Sequence, residues 1–258
     1  MFVFQISNIL KSILPIIIII FVHTKKLKLK KEVLDKGFIE VLDKLGTDLT
    51  VVNSARVSFG KRKEKFDDND RKLVKFLAKN KHWSPFRHLM VQFHVKAPEF
   101  VMRQWYKHVV GIETSSSSSA KDHAWNEISG RYVPVSDFYV PSNWRRQSKD
   151  NKQASEGSID DQKIAGKIFE SAMSDILDSY NKLLEAGVAK EQARMILPLN
   201  QYTEVYWTAS FQAIMNFIEL RDEDTAQWEI REYAIAMKEL MHEIFPEITG
   251  IWFEVNSH

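Results

Sequence analysis

The stretch Leu89-Met90-Val91-Gln92-Phe93-His94-Val95 decides the fold class. Leu89, Val91, Phe93 and Val95 alternate with Met90, Gln92 and His94, the period-2 pattern of a strand with one buried face. Pro98 then suits the first turn of a helix, PEFVMRQWYKH (98–108), because its missing N–H is not needed there. Before the strand, residues 68–81 read as a short helix, with acidic residues at its start and Leu73, Val74 and Leu77 on one face. After it, Ser115–Ser119 is a low-complexity loop, residues 131–140 look extended, and 142–158 form a polar loop. Ser158 followed by Asp161 resembles an N-terminal capping pair. It opens a helix whose apolar face is Ile164, Ile168, Met173, Ile176, Leu177, Tyr180 and Leu184, closed by Gly187. A helical region starts near Glu191 and is broken by Pro198. The last strong helix covers about 225–245, where Pro246 stops it. Helices with a few strands and no regular β-α alternation argue for α+β (mixed α/β) rather than a doubly wound sheet.

Composition narrows the chemistry. With 258 residues, 44% of them hydrophobic, the chain is long enough for a sizeable core. Its 36 basic and 34 acidic residues leave a net charge of +2, so no strong field points to nucleic acid or an anionic membrane. There is no Cys, which removes thiolate nucleophiles and Cys-ligated metals. None of the nine Gly fall at a G-x-G spacing, so neither a Rossmann fingerprint nor a P-loop is present. Residues 1–22 are apolar in bulk, but the uninterrupted run Ile13–Val22 is ten residues long and contains Pro15. A spanning helix needs about 20 apolar residues. Residues 1–26 are therefore expected to be an extension: disordered, an upstream start, or a weak anchor. The domain is expected over 27–258, in the cytoplasm.

The densest functional stretch is 103–132. Arg103, Gln104, Lys107 and His108 end a helix; the basic pair also suits a helix C-terminus as mere dipole complement. Asn126, Glu127, Ser129 and Arg131 lie on a loop, with Gly130 allowing close backbone approach. Such a set suits an anion attached to a hydrogen-bonding ring, Arg forking a phosphate; an ordinary polar turn is the alternative. His82, His88 and His94 form no H-x-x-x-H helix, and no metal site is expected. Arg194 and Arg221 lie in apolar surroundings, where each is either a ligand residue or a carboxylate's partner, Glu219 or Asp222 in the case of Arg221. The Trp residues read as core or interface.

These residues carry a resemblance. RQWYKH, NEISGRY, ARMILPLNQYTEVYW and MNFIELRDEDTAQWEI, in that order, resemble flavin-dependent thymidylate synthases, over roughly four-fifths of the chain from about Leu34. The resemblance implies a homotetramer, each subunit a central, mostly antiparallel sheet flanked by helices, with active sites between subunits. It implies a methyltransferase that uses FAD, reduced by NADPH, to methylate dUMP to dTMP with 5,10-methylenetetrahydrofolate. Carried over residue by residue, Gln104, Lys107, Glu127, Ser129, Gly130, Arg131, Arg194 and Arg221 fall at dUMP-binding positions. Arg221 falls where a cation polarises the N3 edge of uracil. Ser58, His82, Ser84, His108, Glu127, Ser210, Gln212 and Asn216 fall on the flavin side.

The match has departures. Lys107-His108-Val109 stands where the family has R-H-R, and Lys loses the planar fork of Arg. Nineteen residues separate Val109 from Ser129, a longer loop than the family's, and Val109 makes no ionic contact. Ser210, Gln212 and Thr225 stand where Asn, Arg and His are expected. The alternatives are a dUMP-binding protein with its flavin chemistry lost and a tethered structural protein.

Overall fold

The computed structural model describes residues 29–256, apart from 109–110, 113–119, 122, 135 and 153. The extension over 1–26, Val109 and the five-serine run lie outside the described residues. The strands are β1 (Lys30–Val33), β2 (Gly37–Leu45), β3 (Met90–Pro98), the short pair β4 (Gly111–Ile112) and β5 (Ala120–Lys121), β6 (His123–Glu127), a second pair β7 (Arg145–Gln147) and β8 (Ser155–Ser158), and β9 (Tyr202–Ser210). The helices are α1 (Asp48–Arg56), α2 (Asp68–Lys79), α3 (Glu99–Trp105), α4 (Gln162–Glu185), the short α5 (Lys190–Ala193), α6 (Phe211–Arg221), α7 (Trp228–Ile244) and α8 (Pro246–Asn256).

The expected strand is the centre of a five-stranded sheet, ordered β1-β2-β3-β9-β6, with every pairing antiparallel. Its alternation is real. Val91, Phe93 and Val95 are buried, as are Val205, Trp207 and Ala209 opposite them on β9. Phe93 stacks on Trp207 with ring centroids 5.9 Å apart. The other face carries Gln92, His94, Lys96, Glu204 and Tyr206, all partly open to solvent. Helices α6, α7 and α8 cover the apolar face and share its core. Gly37 is required where β2 begins: a Cβ there would lie 1.9 Å from the Tyr233 hydroxyl, which donates to the Lys96 carbonyl at 2.6 Å.

Several expectations need correction. The 98–108 helix stops at Trp105, so Lys107 and His108 follow it rather than end it. The polar stretch 142–158 contains the β7–β8 hairpin. Residues 131–140 hold a turn and a lone bridge, Phe138 to Gln201, instead of a strand. Asp161 is the cap of α4, accepting from the Ile164 N–H at 2.9 Å. Ser158 donates to Asn143 instead. The region after Glu191 is a single short turn of helix followed by a 3-10 turn, Arg194–Ile196. Pro246 ends α7 and also opens α8, where a proline in the first turn sacrifices no hydrogen bond. Lys30 and Lys31 belong to β1, and Lys31 pairs with Glu239 on α7 at 2.9 Å. Among the described residues no helix is long and apolar enough to cross a membrane.

Candidate active site

Where β3 ends, β9 begins and β6 ends, the polar side of the sheet opens into a cleft of about 670 Å³. Five of the expected dUMP positions line it: Glu127, Ser129, Gly130, Arg131 and Arg194. Asn126 and Glu127 finish β6 rather than lie in a loop, and the chain turns at Ser129–Tyr132. Pairing with β9 fixes the Glu127 backbone opposite Val205. The Glu127 side chain is fixed as well, accepting from the Thr203 hydroxyl at 2.7 Å and the Trp125 indole at 3.3 Å. Ser129 Oγ accepts from both the backbone N–H and Nε of Arg131 at 3.3 Å. That ties the guanidinium to the turn and leaves its terminal nitrogens to face a ligand.

Sequence reasoning misses the opposite wall. Lys96, Glu99, Asp137 and Glu204 also line the cleft. Lys96 donates to Asp137 at 2.6 Å, and this bond holds the Asp137 carboxyl below its usual range. Glu204 bonds His94 at 3.0 Å. Burial, and after it the charge of Glu127, pushes the Glu99 carboxyl up. The signal available for this wall is the alternation on β9, which sets Glu204 beside Lys96 across the ladder.

Gln104, Lys107, His108 and Arg221 do not line this cleft. They gather where α3 and α6 end. Arg221 donates through Nε to His108 Nε2 at 3.0 Å, which leaves the imidazole proton on Nδ1. The carboxylates that could have claimed Arg221 are engaged: Asp222 accepts from Lys238 at 2.7 Å and Glu219 from the Trp252 indole at 2.5 Å. Burial, reinforced by the Arg221 charge, pushes His108 down to about 4. An unfolded histidine titrates near 6.5, so the unfolded chain takes up a proton that the folded chain refuses between those values. Stability from this group is complete above pH 6.5 and is lost as pH falls toward 4. Denaturant titrations between pH 7 and 4 are expected to show a shallower acid-side loss for His108→Asn than for the native protein. An unchanged slope would mean that His108 is not held neutral.

Of the flavin-side positions, Glu127 lines the first cleft and His108 lies against Arg221, while Asn216 lies on another surface. A second cleft of about 460 Å³ is lined by Trp83, Asn216, Lys238, Trp252 and neighbours. His82 and Ser84 flank Trp83 and are exposed, as is Ser58 on the 3-10 turn after α1. Ser210 and Gln212 are buried in the subunit. Ser210 caps α6, accepting from the Ala213 N–H at 3.4 Å, so its hydroxyl has a structural task. Gln212 Oε1 is buried with no hydrogen-bond partner among the described residues. It lies one turn before exposed Asn216 on the same helix face. An orphan acceptor beside an exposed amide fits a cofactor edge that donates hydrogen bonds, as a flavin does.

Fold and cleft together define an α+β protein whose antiparallel sheet ends in a cleft lined by Glu127, Ser129, Gly130, Arg131 and Arg194. The comparisons make this specific. A family model described as thymidylate synthase complementing protein matches residues 40–247. A flavin-dependent thymidylate synthase of Thermus thermophilus is 43% identical over 215 residues, 83% of this chain and 74% of that protein. One of Thermotoga neapolitana is 41% identical over 219 residues, 84% of this chain and 91% of that protein. The solved UMP/dUMP methylase PolB of Streptomyces cacaoi, bound with 5-Br dUMP, superposes with a TM-score of 0.74 at 29% identity, covering 87% of this chain and 97% of that one. The chain belongs to the thymidylate synthase complementing protein family, the flavin-dependent thymidylate synthases.

Proposed function

We propose that this protein methylates dUMP at C5 to give dTMP, taking the carbon from 5,10-methylenetetrahydrofolate and the reducing equivalents from NADPH through FAD. The observation that carries the reading is the cleft that joins Glu127, Ser129, Gly130, Arg131 and Arg194 at one end of the sheet, in a chain of this family. Arg131 and Arg194 supply two cations for the phosphate. Gly130 lets the backbone approach it closely. Arg221 places a positive charge where the N3 edge of uracil gains negative charge as C5 becomes nucleophilic, which is electrostatic stabilisation of a developing anion. With no cysteine to add to the ring, activation falls to such charges. Bound FAD supplies the hydride that completes the methyl group, and Asn216, with His82 and Ser84, would hold it.

The two groups of dUMP residues lie apart in the subunit, so we assign them to two halves of a site shared between copies in a closed homotetramer. Exposed apolar residues adjoin both halves and the flavin side: Met195 beside Arg194, Leu220 beside Arg221, and Val57 and Phe59 around Ser58. Apolar surface of this kind marks an interaction face. The test is purified protein with dUMP, methylenetetrahydrofolate and NADPH. A yellow protein bleached by NADPH and forming dTMP supports the reading. dUMP binding without flavin or turnover would replace it with a nucleotide-binding role.

A further inference from the structure

A chain of hydrogen bonds runs from the β7–β8 hairpin to Gln104. Glu229, 4% exposed, takes Arg145 Nη2 on both carboxylate oxygens at 2.8 Å. It also accepts the Tyr139 hydroxyl at 3.3 Å and Gln227 Nε2 at 3.0 Å. Gln227 Oε1 in turn accepts from Gln104 Nε2 at 2.7 Å, and the same nitrogen reaches the Phe100 carbonyl at 3.5 Å. Burial and the Glu229 charge push Tyr139 far up, so its hydroxyl stays a donor.

The polarity of this chain is forced. An ionised carboxylate paired with Arg only accepts, so Gln227 must turn its NH2 group toward Glu229 and its carbonyl toward Gln104. Gln104 must then meet that carbonyl with its own NH2, whose second N–H points to Phe100. What Gln104 has left to offer is Oε1, an acceptor. Phosphate oxygens are acceptors too, and two acceptors do not bond.

We infer that Gln227, locked by Glu229 and Arg145, is a positioning residue that fixes the amide of Gln104 so that its Oε1 reads a hydrogen-bond donor on the nucleotide. This rests on the placement of Gln104 at the dUMP site proposed above. A dUMP molecule carries two such donors, the imide N3–H of uracil and the sugar 3′-hydroxyl. Where the donor is N3–H, the device also favours uracil over cytosine, whose N3 is an acceptor and would face Oε1 unbonded.

The test uses the holoenzyme with dUMP, N3-methyl-dUMP and 2′,3′-dideoxy-UMP as probes. The analogue lacking the donor read by Gln104 should bind about 10-fold less tightly than dUMP to the native enzyme, the typical worth of one such bond. Gln104→Ala should raise the dUMP KM by a similar factor and bind that analogue and dUMP equally. Gln227→Met keeps the side-chain length and removes both bonds; it should raise KM and blunt the discrimination, with kcat and Tm close to native. A purely structural Gln227 would lower Tm and leave the discrimination intact, which overturns the inference while Gln104 keeps its place. An unchanged KM in Gln104→Ala removes Gln104 from the site and the inference with it. If neither analogue discriminates and Gln104→Ala weakens dUMP but not deoxyuridine, Gln104 reads phosphate and the assigned polarity is wrong.

Discussion

Arg221→Ala is expected to lower kcat by about 10²–10³-fold, the usual loss when one preorganised donor to a developing anion is removed. The geometry favours this over a stabilising role. Among the described residues Arg221 is held by a neutral histidine and by no carboxylate, so its charge is not spent on an ion pair. Its place in the last turn of α6 gives a favourable term with the helix dipole of about 0.3–1 kcal/mol, so Tm should fall only slightly. Arg131 differs. Tied to the Ser129 turn in the cleft, it is assigned in the proposed site to the phosphate, which does not change during the reaction. Its contribution is equal in ground and transition states, and Arg131→Ala should raise the dUMP KM with kcat near native. A large drop in Tm with native kcat per folded, FAD-loaded enzyme would remove Arg221 from the mechanism and leave Arg194 as the next cation to test. Mixing the two variants tests the shared site. If Arg131 and Arg221 reach one dUMP from different subunits, an equal mixture of co-assembled chains restores about one quarter of the sites to the full set. No recovery would place both on one subunit.

The central strand and helix α7 are legible in the sequence because each has one buried face and one wet one, which imprints a period on the residues. Helix α4 carries the same period, but Ile164 and Ile168 of its expected apolar face are exposed and Tyr180 is its one buried residue. Helix α6 is not legible, for the opposite reason. Phe211, Ala213, Ile214, Met215, Phe217 and Ile218 are all buried, so the helix is apolar nearly all round and shows little amphipathic contrast. Strand β9 hides behind the Pro198 signal that ends the preceding segment, although Val205, Trp207 and Ala209 alternate along it. The β7–β8 hairpin is built from polar residues, and its tie to α7 is made by Arg145, whose partner Glu229 lies 84 residues away. At the site, the short motif NEISGRY is legible because its members are adjacent in sequence and stay together in space. The wall of Lys96, Glu99, Asp137 and Glu204 is assembled from three separate segments, and only the alternation along β9 hints at it. Ser210, expected on the flavin side, has a second task that no sequence pattern shows: its hydroxyl caps α6.

Trp105→Ala is expected to destabilise the fold by about 3–5 kcal/mol, the range for deleting a buried large aromatic. Trp105 is fully buried at the end of α3. Its ring stacks on Phe217 of α6 with centroids 4.4 Å apart and meets Trp207 and Tyr233 edge-on at 5.7 Å. It therefore joins the helix that carries Gln104 to the helix that ends in Arg221, with the sheet and α7 behind. Removing it leaves a cavity among large rings that cannot collapse together, since each is anchored in a different element. At fixed protein concentration the loss should appear as a fall in Tm of roughly 6–20 °C. Trp105→Phe is the sharper comparison. Its indole N–H is buried without a partner among the described residues, so the smaller ring gives up no hydrogen bond and keeps the stack on Phe217. A loss well below that of alanine follows, because removing an unsatisfied polar group offsets part of the lost packing. If Trp105→Ala melts within about 2 °C of the native protein, the stack is not what holds α3 on α6. The positions of Gln104 and Arg221 would then have to be set by contacts between subunits rather than by the core of one.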